Sequence, residues 1–188
     1  MKNTHNLATL IALFSAIILL GSCKKEDPQP EDENELITTV QLKFTESGST
    51  TSQTFEWKDL DGDGGKAPVI QAVSLKTNKT YKLDVAFLDE SKIPIESITD
   101  EIKKEADEHL VIITPMPVGL FTYTATDKDS RSLPIGLTGT LKTTTASSGT
   151  LRLQLRHQPP VGGKAVKDGT VNPGSDDVNI IFNMTVTP

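Results

Sequence analysis

The segment with the clearest chemical potential is DLDGDGG, in which Asp59, Asp61 and Asp63 alternate with single residues. It matches D-x-D-x-D-G, the opening of an EF-hand calcium loop. Calcium takes several oxygen ligands, and alternate carboxylates on a tight turn converge on one point. The twelfth position of such a loop is Ile70, where an EF-hand has a bidentate glutamate. Two interpretations stay open: a calcium loop on a β scaffold that a distant carboxylate completes, or a polar turn rich in Asp and Gly.

A second candidate site combines acids with the histidines that follow the N-terminal leader. Glu101, Glu105 and His109 are spaced by four residues and would share one helix face, where a carboxylate and an imidazole can ligate a divalent metal. The alternative is a solvated acidic face whose terminal histidine interacts with the helix dipole. His157 ends a predicted strand, where the alternative to a metal ligand is an ordinary surface histidine. If the fold brings it to His109, then Glu105, His109 and His157 could hold a metal ion or haem iron.

The sequence offers no catalytic motif. It contains no G-x-S-x-G, no P-loop and no H-E-x-x-H. We therefore predict that the protein is not an enzyme.

The chain begins with a predicted export signal at residues 1–22. Residues 7–20 are uncharged and mostly aliphatic, which is shorter than the ~20 residues of a membrane-spanning helix and typical of a signal peptide. The run ends in LGSC, which resembles a bacterial lipobox; this resemblance implies cleavage after Ser22 and lipidation of Cys23. Cys23 is the one cysteine of the chain, so no internal disulfide can form. An ordinary secretory signal is the alternative.

Residues 23–35 comprise the predicted lipidated cysteine and the segment KKEDPQPEDENE. Its composition predicts a disordered acidic tether, which would reach about 40 Å when extended. The sequence Lys25-Glu26-Asp27 resembles the surface-export signal of Bacteroidota-type lipoproteins. We expect a lipid-anchored protein of the outer membrane that is exposed on the cell surface. The periplasmic face is the alternative location.

Residues 36–188 are predicted to form one all-β domain. A net charge of −6 argues against nucleic acid as a partner. Alternating apolar and polar residues indicate antiparallel sheets with one buried face, and frequent turns favour a two-sheet sandwich, immunoglobulin-like or transthyretin-like. A closed barrel is the alternative. About nine strands are predicted, at 40–44, 55–57, 69–75, 81–87, 110–114, 121–126, 133–141, 151–155 and 178–186.

One helix and one long loop complete the prediction. Ile98, Ile102 and Ala106 recur every fourth residue and predict a helix from Ile98 to about Glu108. The segment from His157 to Asp177 is rich in Gly and Pro and predicts a loop.

Three pieces of the sequence resemble an uncharacterised family of small Bacteroidota-type outer-membrane lipoproteins. These are the strand that leads into DLDGDGG, the segment ITDEIKKEADEH, and LRLQLRHQPP before DDVNIIFNMTV. The resemblance implies a location and a fold and does not imply a reaction. We expect a non-catalytic binding or adhesion module of unknown ligand, with calcium as a candidate ion. The alternative is a lipoprotein that scavenges metal or haem through His109 and His157.

Overall fold

The fold is that of a computed structural model, which describes residues 36–62 and 64–188. Within this range, apolar and polar residues alternate along most strands, and one short helix interrupts them. The elements are β1 (Thr39–Glu46), β2 (Ser52–Lys58), β3 (Val69–Ile70), β4 (Val73–Lys76), β5 (Thr80–Asp89), β6 (Glu96–Ser97), α1 (Ile98–Lys104), β7 (His109–Met116), β8 (Phe121–Ala125), β9 (Thr138–Thr143), β10 (Ser147–His157) and β11 (Ser175–Thr187). None of the helices described is long and apolar enough to cross a membrane.

The strands form two packed sheets, which confirms the predicted sandwich-like all-β fold. The larger sheet has the order β3-β2-β1-β5-β9-β8, with β6 paired to β5, and the smaller has the order β4-β11-β10-β7. The pairing is antiparallel except between β4 and β11, which run parallel. The parallel pair arises because the predicted strand 69–75 is divided: β3 joins the larger sheet and β4 crosses to the smaller one.

The core lies between the inward faces of the two sheets. Most of the longer strands contribute every second residue, as the period-2 pattern requires. Burial of each large apolar side chain stabilises the fold by roughly 1.5–3 kcal/mol. Fully enclosed members of the core include Leu42, Phe44, Leu83, Phe87, Leu151, Leu153 and Phe182.

The helix α1 ends earlier than predicted, at Lys104 instead of about Glu108. Tertiary contacts explain the difference. The carbonyl oxygen of Ala106 accepts a hydrogen bond from Lys167 Nζ at 2.8 Å, and that of Asp107 accepts one from Arg131 Nη2 at 2.7 Å. Side chains from two other loops therefore bind the backbone where helix propensity alone would continue the helix.

The predicted strand 133–141 also differs, because β9 begins only at Thr138. Gly136 has a φ of +88°, outside the β region, and its N–H donates to the Asp127 carboxylate. This local turn prevents Leu133 and Ile135 from continuing the β9 ladder, although Ile135 is still buried.

Buried polar groups hold the segment between β10 and β11, one within the segment and one against the rest of the domain. Gln158 Nε2 donates to the carbonyl oxygens of Thr170 and Pro173. Lys167 extends its ammonium group to Asp129, at 2.9 Å. The loop thereby returns the chain to β11 beside the end of β10.

Candidate metal centre

Two histidines meet at the end of the smaller sheet. His109 is the first residue of β7 and His157 is the last residue of β10, and the antiparallel register pairs them directly. A backbone hydrogen bond from Gln158 N to Glu108 O, at 2.6 Å, extends this pairing beyond the strands. The imidazole rings stack with their centroids 4.9 Å apart and their planes 9° from parallel. Strand register therefore sets the proximity that the sequence alone could not establish.

Asp177 joins the histidines through a β-bulge. The register between β10 and β11 passes from Leu155 opposite Val178 to Arg156 opposite Asp176, so Asp177 is skipped. A bulge of this kind re-aims a side chain relative to the regular pleat. Asp177 Oδ2 lies 3.9 Å from His109 Nε2.

These three side chains form a candidate metal centre. One ligand atom from each of His109, His157 and Asp177 lies within 4.8 Å of the other two. Ligand atoms around a tetrahedral ion at about 2.0–2.2 Å lie roughly 3.3–3.6 Å apart, so metal binding would draw the ligand atoms together by about 1–1.5 Å. Their side chains are 8%, 23% and 15% exposed, which shields the centre from bulk water while leaving access for an ion.

The protonation state of His109 suits a metal ligand. Its Nδ1 lies 3.2 Å from the carbonyl oxygen of Glu105. Because a carbonyl oxygen only accepts, Nδ1 carries the proton in this contact and Nε2 keeps its lone pair on the Asp177 side. Burial, together with the nearby His157, lowers the pKa of His109, although the Glu105 contact opposes this shift. A neutral, oriented imidazole is the form that binds metals.

The predicted acidic partners of His109 occupy other positions. The prediction that Glu101, Glu105 and His109 share one helix face is wrong, because α1 ends at Lys104 and His109 belongs to β7. Glu105 reaches His109 through its backbone carbonyl. Glu108 is the acid next to the other imidazole, with Oε2 3.9 Å from His157 Nε2.

An ion-paired arginine fixes the bulge. Arg156 Nη1 donates to Asp176 Oδ1 at 2.7 Å, and Nη2 donates to the carbonyl oxygens of Pro173 and Gly174. Gln154 Nε2 approaches the same Asp176 carboxylate at 3.2 Å. Side chains of β10 thereby hold Asp176 in place. Because Asp176 directly precedes Asp177, this limits the positions that Asp177 can take.

The acidic loop adopts a turn in which two carboxylates bind the loop backbone. Asp59 Oδ1 accepts from Gly62 N, and Asp61 Oδ2 accepts from Lys66 N, each at 3.0 Å. Asp63 lies outside the described residues, as does Cys23, so the calcium site and the lipidation site stay predictions. Asp59 and Asp177 line one cavity, which brings the loop close to the metal centre.

Sequence reasoning missed Asp177. The available signal was the acidic pair before the alternating VNIIFNMTV run, which marks where β11 enters the sheet. A bulge, however, depends on how the partner strand is aligned and leaves no short-range motif. No protein-family model, curated protein or solved structure matches the chain.

Proposed function

We propose that this protein is a lipid-anchored outer-membrane lipoprotein whose β domain holds one divalent transition-metal ion through His109, His157 and Asp177. The observation that supports this proposal is the convergence of the three ligand atoms within 4.8 Å at the end of the smaller sheet. His109 and His157 come from β7 and β10, and Asp177 comes from the bulge of β11.

The donor set favours particular ions. Two imidazole nitrogens and one carboxylate oxygen suit zinc, copper or nickel, whereas magnesium and calcium prefer oxygen ligands alone. Three protein ligands leave at least one coordination position for water or for an exchangeable ligand. This arrangement fits a protein that captures or carries an ion.

The ring stack argues for an ion over haem. Two axial imidazoles of one haem approach the iron from opposite sides and cannot stack on each other. His109 and His157 lie nearly parallel and face to face, with centroids 4.9 Å apart. Because the lone pair of an imidazole nitrogen lies in the plane of the ring, one ring would rotate out of the stack so that both side chains bind one ion from neighbouring directions.

The cellular setting follows from the sequence. The LGSC segment supports lipidation at Cys23, and Lys25-Glu26-Asp27 supports export to the cell surface. The lack of a catalytic motif in the sequence supports a binding role.

Titration calorimetry on the purified full chain, with zinc, nickel and copper(II) chlorides, tests the proposal. We expect one equivalent to bind at pH 7.5. His157→Gln and Asp177→Asn should each weaken binding at least tenfold, since each removes one ligand while keeping a similar shape. His109→Gln should do the same, with circular dichroism confirming the fold.

Glu101 and Glu105, the two acids that the sequence places on one helix face with His109, provide matched controls. Glu101→Gln and Glu105→Gln change charge nearby but leave the three ligands, and the Glu105 carbonyl, in place. Both should keep the affinity within about twofold. No measurable binding by the parent protein, or a loss in the controls equal to that in Asp177→Asn, would overturn the proposal.

A further inference from the structure

A cavity of about 390 Å³ opens where the acidic loop meets β11. This volume falls in the usual range of small-molecule sites, roughly 300–1,000 Å³. It is formed by the entry to β1, the end of β2, the acidic loop and the bulged start of β11. The lining residues are Leu36, Ile37, Trp57, Asp59, Gly62, Asp176, Asp177, Val178, Asn179 and Ile180.

One side of this cavity is apolar. Trp57, the one tryptophan of the chain, is partly buried against the core, as are Ile37 and Ile180. Leu36 adds an aliphatic side chain that is 52% exposed. A partly open aromatic side chain beside aliphatic groups suits the hydrocarbon body of a ligand and also attracts cations to the indole face.

The charged side of the cavity is negative. Among the described residues that line it, three are aspartates and none is Lys, Arg or His. Asp176 is neutralised by Arg156, at 2.7 Å, and Asp177 faces His109. Asp59 has Gly62 N as its hydrogen-bond donor and no ion-pair partner within the described range. Its charge is therefore available to a ligand.

We propose that this cavity binds a small organic ammonium ion, with the ammonium group against Asp59 and the apolar body against Trp57. A neutral sugar would leave the Asp59 charge without a counterion, and the nearby polar group of Asn179 already bonds Asp176 and Arg152. An inorganic cation would make no use of the apolar side. This site is separate from the proposed metal-binding function, although Asp177 borders both.

Tryptophan fluorescence of the full chain gives a direct measurement, because the single indole lines the cavity. The probe is 2-phenylethylamine, and its neutral counterpart is 2-phenylethanol. We expect the amine to change the emission saturably, with a Kd on the order of 1 mM or below, and the alcohol to bind at least tenfold more weakly. Methyl glucoside, tested alike in EGTA so that no calcium occupies Asp59, should not produce the amine's change.

Asp59→Asn should abolish most of the amine preference, since an asparagine can still accept from Gly62 N while losing the charge. Asp61→Asn is the matched control, because that carboxylate bonds Lys66 N and does not line the cavity. Equal binding of amine and alcohol, equal loss in both variants, or a saturable response to glucoside in place of the amine would overturn the proposal. His157→Gln should leave amine binding intact, which separates this result from that of the metal site.

Discussion

His109 and His157 are directly opposed across β7 and β10, with their rings within 9° of parallel. This relationship is a property of backbone register and does not depend on a flexible loop. A change that shifts the end of β10 should therefore alter the candidate metal centre even when no ligand is replaced.

Gly174 offers such a change. Its φ is +72°, and a Cβ at this position would overlap the carbonyl oxygen of His157. We expect Gly174→Ala to destabilise the domain by more than the ~1–2 kcal/mol of a left-handed alanine, since the backbone must also shift. It should also weaken metal binding. Urea unfolding and calorimetric titration measure the two effects.

Gly162→Ala is the control for the Gly174 experiment. Gly162 has a φ of +58° and open space around its added Cβ. Gly162→Ala should therefore lower the free energy of unfolding only by the conformational cost of a left-handed alanine, and it should keep the affinity for metal. Equal effects of the two alanine substitutions on metal binding would contradict the link between the end of β10 and the metal centre.

The buried ion pair between Lys167 and Asp129 holds the long loop. Both side chains are 0% exposed, with Nζ 2.9 Å from Oδ2. We expect Asp129→Asn to destabilise the fold by about 3–5 kcal/mol, because it leaves the buried Lys167 ammonium group without its carboxylate. Lys167→Met should cost less, because Arg131 Nη2 still lies 3.8 Å from Asp129 Oδ2. The double substitution Asp129→Asn, Lys167→Met should cost less than the sum of the two single ones, because the two side chains interact directly. A double variant whose loss equals the sum of the two single losses would contradict this coupling.

The ion pair between Lys167 and Asp129 predicts that the free energy of unfolding depends on pH. Burial raises the pKa of Asp129, but the hydrogen bonds and charge of Lys167 and the backbone N–H groups of Leu133 and Arg131 outweigh it, so the pKa is lowered from 3.8. The native state therefore binds this proton less readily than the unfolded chain does. The stabilisation is present above pH 3.8 and is lost as the pH falls through the lowered native pKa. The stability gap between the parent protein and Asp129→Asn should narrow in that acidic range, as measured by urea unfolding; a constant gap would contradict this assignment.

The acidic loop gives a prediction for calcium. We expect millimolar calcium to raise Tm by several degrees at a Kd near 10 µM, because a hundredfold excess stabilises by about 2.7 kcal/mol and each kcal/mol shifts Tm by roughly 2–4 °C. Magnesium should do less. The double change Asp61→Asn, Asp63→Asn should remove the response, whereas Asp168→Asn, in another exposed turn, should keep it. Melting curves that are unchanged by calcium or EGTA would leave the loop as a turn.

The sequence predicted the sandwich and most strand positions because period-2 alternation reports burial directly, as along Tyr81 to Phe87 in β5. It failed where distant groups decide the backbone. The end of α1 depends on Lys167 and Arg131, which bind carbonyl groups from other loops. Residues 69–75 are divided because β3 pairs with β2 in one sheet and β4 pairs with β11 in the other.

The candidate site was only partly predictable, because it also depends on residues that are distant in sequence. His109 and His157 could be named from their side-chain chemistry, but their pairing requires the β7–β10 register. Asp177 could be named only from the bulge in β11, which arises from the alignment of β11 with β10. Residue type thus identified two of the candidate ligands, and topology supplied the third.

The proposed lipid anchor gives the last prediction, because it would decide where the proposed metal centre acts. Cys23 is the one residue in the LGSC segment that can accept a diacylglyceryl group. Cys23→Ala should yield an unprocessed or soluble precursor in cell fractionation, whereas Ser22→Ala keeps a small residue before the cysteine and should be processed normally. A mature-sized Cys23→Ala protein in the membrane fraction would contradict lipidation. Protease added to intact cells should remove the domain if it is exported to the surface. Protection until the outer membrane is permeabilised would instead place it on the periplasmic face.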